Sequence, residues 1–203
     1  FATQMDFDNS GFLVGHGSAV VDKVLVALDI TRTVIEEAEQ LGAQLIVSHH
    51  PVIFRPLKSL TDGDLPGENV LRMAEKGIAA ICAHTNLDAA QGGVNCRLAQ
   101  KLELTDIDHL HPDGVDEQGR TYGIGRVGTP HEAGLSAEDY ARFVKEKLDT
   151  SSVRFVDCGK PVTKVAVGGG SCSDMMVDAL KLGCDTFVTA DVKYNFYLEA
   201  AQL

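Results

Sequence analysis

Two adjacent imidazoles, His49 and His50, end the short apolar run Leu45-Ile46-Val47-Ser48 and are followed at once by Pro51. Imidazole is the commonest metal ligand among side chains. Neighbouring residues of a regular strand point to opposite faces, so both rings reach one pocket only if the backbone bends there. Pro51 supports that bend by fixing its own φ and keeping the residue before it out of the helical region. A His-His pair on its own is more often two surface or hydrogen-bonded histidines than a metal site. A second strand end shifts the balance: Ile78-Ala79-Ala80-Ile81-Cys82-Ala83 runs into His84-Thr85-Asn86-Leu87-Asp88, adding a third imidazole and a carboxylate. Histidine and aspartate together suit zinc, iron, nickel or manganese, the carboxylate favouring the harder ions.

The elements that must place these groups follow from the flanking pattern. Lys23 to Asp29 reads as a strand, β-branched and apolar between charges. Thr31 can cap the helix after it. There Val34, Ile35, Ala38 and Leu41 recur at helical spacing, and Gly42 ends it. The next strand leads to His49. Strand–helix–strand order predicts a parallel pair with a right-handed crossover and puts Asp29 on the sheet edge that carries His49. Asp29 is then either a partner of the metal-binding groups or a carboxylate flanking the helix. In open α/β sheets, chemistry collects outside the carboxyl ends of the strands. Helices are expected over 68–75 and 95–102. The stretch Phe7-Asp8-Asn9-Ser10-Gly11-Phe12 reads as a polar loop, most simply a turn held by its own Asx side chains.

Beyond this core the signals are weaker. Arg55 and Lys58, two cations just behind the His-His pair, can hold a phosphate or carboxylate, or can neutralise neighbouring acids. His109 and His111 fall in a polar stretch that reads as a solvated loop. Tyr122 to Gly128 reads as a strand whose glycines permit close packing. Ser136 caps a helix over 137–148, and 152–156 reads as a strand. Lys164 to Val167 is a buried strand running into Gly168-Gly169-Gly170-Ser171. The helix that follows makes this an anion-binding hint without a full fingerprint. A last strand spans 185–189.

Composition sets outer limits. The 203 residues, 44% hydrophobic and 23% charged, suffice for one large domain or two small ones. A net charge of -11, from 18 basic and 29 acidic residues, makes nucleic acid an unexpected partner. The five cysteines form no C-x-x-C pair and no even framework, which fits free thiols in a reducing compartment and a cytoplasmic location. No apolar run approaches the ~20 residues needed to span a bilayer, so no membrane is expected. The chain opens at Phe1 rather than Met, consistent with a piece missing upstream.

Taken together, Ser48-His49-His50-Pro51, Ile53-Phe54-Arg55-Pro56-Leu57-Lys58-Ser59, His84-Thr85-Asn86-Leu87-Asp88-Ala89 and Gly93-Val94-Asn95 resemble the Nif-three-like family. Its members are dinuclear-metal, ring-forming hexameric proteins, also labelled GTP cyclohydrolase I type 2 homologues. The resemblance runs from Asp8 to the last residue. It implies an α/β fold of two similar interlinked sub-domains with mixed, largely parallel sheets, here divided as 1–115 and 116–203. It implies two divalent ions per subunit (zinc, iron, manganese, nickel or magnesium), with His49 and Asp88 on one and His50 on the other. His84 is then expected behind the ligands or as a proton shuttle. The family's Thr-Gly-Asp-x-x-Tyr-His stretch matches here with Ala190 for the glycine and Asn195 for the second histidine. That leaves Asp191 as a proton-shuttle or supporting group, or simply a helix cap, and Tyr194 beside Arg55 and Lys58 for substrate. Family members continue with a further strand and a Gly-His-x-x-x-Glu segment that supplies a His and a bridging Glu. Neither precedes Leu203, so the C-terminal end is expected to be incomplete.

Two divalent ions about 3.5–4 Å apart activate water toward an electrophile. A hydrolase or cyclohydrolase acting on a small anionic molecule is therefore the leading expectation. A metal storage or delivery protein and a toroidal homohexameric scaffold with structural metals are the alternatives.

Overall fold

The computed structural model describes residues 3–203, folded as two compact units that divide after Leu87. The first holds a four-stranded sheet in the order β1-β4-β3-β2, formed by β1 (Gly11–Val14), β2 (Val24–Ala27), β3 (Leu45–Ser48) and β4 (Ala79–Cys82). β2, β3 and β4 run parallel in the registers Val24↔Leu45↔Ala79 and Ala27↔Ser48↔Cys82, and β1 closes one edge antiparallel to β4. The crossovers are α1 (Arg32–Leu41) and α2 (Leu65–Lys76). Thr31 caps α1 by accepting from the Val34 amide, and Gly42 ends it at φ 65°, where a side chain would be strained. The second crossover helix starts earlier than its periodicity suggests. Asp64 accepts from the Gly67 amide and Pro66 sits in the first turn, an arrangement that needs no apolar residue. Ile35, Ala38, Val70 and Met73 from the helices meet Ile46 and Ala80 from the sheet, and this is the core that fixes the strand ends.

The second unit opens within α3 (Thr85–Ala89) and continues with α4 (Val94–Lys101), β5 (Thr105–Val115), β6 (Thr121–Thr129), α5 (Ala137–Lys147), β7 (Val165–Gly168), α6 (Met176–Lys181), β8 (Thr186–Thr189) and α7 (Tyr194–Ala200). Its sheet has the order β5-β6-β7-β8, antiparallel except for the parallel pair β7–β8 around α6. Both sheets are mixed, as expected, but parallel pairing dominates only the first.

The division after Leu87 keeps the β5–β6 hairpin whole, its register running from Thr105↔Thr129 to Val115↔Thr121. Two local expectations are corrected. The stretch holding His109 and His111 is strand, not loop: pairing with β6 overrides its polar composition, with irregularities next to Asp106 and Pro112 that accommodate a positive φ and a missing donor. Residues 152–156 form no strand, because they find no sheet edge to pair with, although Val153 packs on the core. Among the described residues, no helix is long and apolar enough to cross a membrane.

Candidate metal centre

The carboxyl ends of β3 and β4 are neighbours in the first sheet, so the residues just past them are brought together by the parallel register itself. His49 and His50 follow β3, and His84 follows β4 at the start of α3. The three ring centroids lie 5.0, 5.2 and 5.6 Å apart, and one ligating atom from each ring lies within 4.8 Å of the others. The backbone bend anticipated at Pro51 is real. Ser48 Oγ donates to the His50 carbonyl at 2.8 Å and the His50 amide reaches back to Leu28 O at 2.9 Å, turning both rings toward one point.

Each ring meets an oxygen acceptor at Nδ1. His49 Nδ1 is 2.8 Å from Ala83 O, His50 Nδ1 is 2.7 Å from Asp29 Oδ1, and His84 Nδ1 is 2.8 Å from Asp8 Oδ1. A carbonyl or carboxylate facing Nδ1 holds the proton there and places the ligating lone pair on Nε2. This pattern fits a metal ion: donor nitrogens of the right kind, close together, with the tautomer fixed by backbone or carboxylate. His49, His50 and His84 could therefore hold a metal ion.

The surroundings differ around the cluster. His50 and Asp29 are half exposed, at 46% and 53%, whereas the Asp8 side chain is fully buried. Burial by itself raises a carboxyl's pKa. At Asp8 it is outweighed by hydrogen bonds from His84, from Thr85, from Ser10 and from the Asn9 amide, which hold the group well below the usual carboxylate range. Cys82 lies beneath, donating its thiol to His49 O at 2.9 Å. Burial pushes this thiol up to about 12, in keeping with its role as a hydrogen-bond donor to that carbonyl.

The remaining sequence-derived residues are placed as follows. Asp88 is buried in α3, four residues past His84, at the start of the second unit; its carbonyl accepts from Asn95 Nδ2 at 3.1 Å. Arg55 and Lys58 are exposed on the loop after β3, and neither forms an ion pair with a described residue. That loop turns back on the cluster, since Phe54 meets His84 edge-on at 6.0 Å. Asp191 and Tyr194 belong to the second unit. Asp191 has φ 51° and lines a cavity of about 630 Å³ formed mainly by Tyr140, Val144, Phe155, Met176, Phe187 and Phe196. Tyr194 is 78% exposed at the start of α7, whose cap position is Lys193, so Asp191 is not that cap. The glycine stretch after β7 leads only into a single 3-10 turn and the six-residue α6, not an anion-binding helix start. Sequence reasoning missed Asp8, whose partners lie 76 and 77 residues away, beyond the reach of any local pattern.

A two-unit α/β protein with an imidazole cluster at the ends of parallel strands is the class that fold and site define. The match to known proteins narrows it. The model of the Duf34/NIF3 (NGG1p interacting factor 3) family matches residues 1–203, and the chain belongs to that family. It is 34% identical over 191 residues to the GTP cyclohydrolase 1 type 2 homolog of Clostridium perfringens, covering 94% of this chain and 71% of that protein. The protein of the same description from Lactococcus lactis is 35% identical over 192 residues, covering 93% and 71%. Among solved structures, a Staphylococcus aureus hypothetical protein superposes with a TM-score of 0.89 at 30% identity, covering all of this chain and 78% of that one. A Bacillus cereus protein related to NIF3 gives 0.88 at 25%, covering 99% and 81%.

Proposed function

We propose that the protein is a divalent-metal-dependent hydrolase or cyclohydrolase-like enzyme acting on a small anionic substrate. The observation that carries this reading is the convergence of His49, His50 and His84, each with Nδ1 against an acceptor. These residues would hold the ion, with Asp88 as the carboxylate that the family resemblance assigns beside them and a second ion as its fuller form. When bound, a divalent ion supplies Lewis acidity for attack of water on an electrophile. The chain's own residues do the rest. Ala83 O and the two carboxylates hold the imidazoles in the ligating tautomer. Arg55 and Lys58, exposed and without an ion-pair partner among the described residues, lie on a loop that folds against His84 and are available to an anionic group. Phe54 stands edge-on beside His84 and flanks that ring of the cluster. A second reading, metal storage or delivery without turnover, draws on the half-exposed His50–Asp29 pair, which leaves the site open to exchange. Self-assembly into a ring stays part of the proposal, and the exposed Val24 and Val26 of β2 suit a surface covered by another copy.

The test is elemental analysis of the purified protein beside His49→Ala/His50→Ala, followed by a screen of nucleotides and phosphoesters with zinc, manganese or iron. One or two metals per chain, lost in the double variant, supports the reading. Metal-dependent turnover selects hydrolase over storage. No metal in either protein after reloading overturns both.

A further inference from the structure

The segment 3–10 precedes the first strand and belongs to no sheet, yet a dense set of hydrogen bonds ties it to α3 and to the loop after β3. Thr3 Oγ1 donates to Asn86 O at 3.2 Å and the Met5 amide donates to Thr85 Oγ1 at 2.9 Å. Asn9 Nδ2 donates to Ile53 O at 2.6 Å. Asp8 stands at the centre. Its Oδ1 accepts from the Asn9 amide at 2.8 Å and faces His84 Nδ1 at 2.8 Å. Its Oδ2 accepts from Ser10 Oγ at 2.7 Å, from the Thr85 amide at 3.0 Å and from Thr85 Oγ1 at 2.5 Å. A carboxylate with five donors around it and no exposed surface has a single position open to it. It therefore pins both the ring of His84 and the first turn of the helix that begins one residue later.

The other two histidines are held differently. His49 leans on Ala83 O, a backbone atom at the end of the neighbouring strand β4, and His50 on Asp29, a half-exposed residue next to β2. His84 takes its orientation from a carboxylate of the segment that precedes the sheet.

We propose that Asp8 is the positioning residue for His84 and that the 3–10 segment acts as a strap whose closure and metal occupancy are linked. The proposal rests on the reading of the histidine cluster as a metal site. If closing the strap sets the ring for the ion, the ion must in return favour the closed strap by the same factor.

Cobalt(II) serves as the probe because its visible absorption reports the number of nitrogen donors. Asp8→Ala is expected to weaken Co²⁺ binding by about 10- to 100-fold, the usual effect of losing a group that orients a ligating imidazole, and to change the cobalt spectrum. Asp8→Asn keeps one oxygen for Nδ1–H and is expected to recover most of that loss. Ser10→Ala, which removes a donor to Asp8 without touching His84, is expected to bind like the parent. In parallel, Zn²⁺ should slow hydrogen exchange at the Met5 and Asn9 amides of the parent and leave Asp8→Ala unchanged. Parent affinity and spectrum in Asp8→Ala, with circular dichroism showing it folded, overturn the proposal and leave the metal site standing. Equal loss in Asp8→Asn and Ser10→Ala makes Asp8 a packing residue and also overturns it. No Co²⁺ uptake by the parent overturns the metal reading itself.

Discussion

The two units end their central parallel strands in opposite ways. After β3 the chain reads Ser48-His49-His50-Pro51, and after β7 it reads Gly168-Gly169-Gly170-Ser171. Both stretches sit where an α/β sheet collects chemistry, but only the first projects side chains into that space. In the second, the stretch is closed on itself. The Gly169 amide donates to Asn95 Oδ1 at 2.7 Å, and Gly170 O accepts from the Cys172 and Ala190 amides and from Thr189 Oγ1. A side chain at Gly168 would meet Cys172 Cβ at 2.6 Å. The lesson is that position in the fold offers a site, and the backbone's own hydrogen bonding decides whether the site is used.

The same contrast holds for the buried polar groups. In the first unit Asp8 uses its hydrogen bonds to orient an imidazole. In the second Arg126, 1% exposed, uses all of its donors structurally: Nε to Cys96 Sγ, one terminal nitrogen to Gly123 O and Gly125 O, the other to Ala89 O and Ala90 O. The guanidinium thus holds the end of α3 against β6, where its charge also suits a helix C-terminus.

Three substitutions probe the contrast. The largest effect is expected from Arg126→Met, which strands several buried carbonyls and should lower stability by about 3 kcal/mol in urea unfolding. Metal content of the folded fraction should stay at the parent value; a loss of metal at unchanged stability would mean that Arg126 serves the site and the contrast is wrong. Gly168→Ala comes next. Overpacking against Cys172 should cost about 1–3 kcal/mol, and a neutral result would show that the second strand end has room for a ligand. The smallest effect is expected from Asp29→Ala. Loss of the partner of His50 should weaken metal binding by about 10-fold in titration calorimetry with little change in unfolding, because the pair is half exposed. An unchanged affinity would place the ordering of His50 in the Ser48–Pro51 turn alone.

The pattern of elements was legible because it is written in short windows. Thr31 and Gly42 mark the ends of α1 at the expected places, and the apolar run before His49 is a strand. The His-His bend was legible too, since Pro51 and Ser48 act on adjacent residues. What failed to show were strands made by their partners. β1 is a loop by composition and becomes a strand only on the edge of β4, and β5 carries Pro112 and five acidic or imidazole side chains that no strand propensity favours.

By itself, then, the sequence determined the order of elements, the strand ends that carry His49, His50 and His84, and the family. It did so because periodicity, capping and motif spacing act between residues a few positions apart. Only the tertiary structure decided which groups stand behind those histidines. Asp29 and Asp8 lie 21 and 76 residues from the rings they hold. Which carboxylate reaches which Nδ1 depends on strand register and on where the 3–10 segment lies against α3. Both are consequences of packing, because the free energy that sets them comes from burying Ile46, Ala80 and Met73 and not from any interaction local to the aspartates.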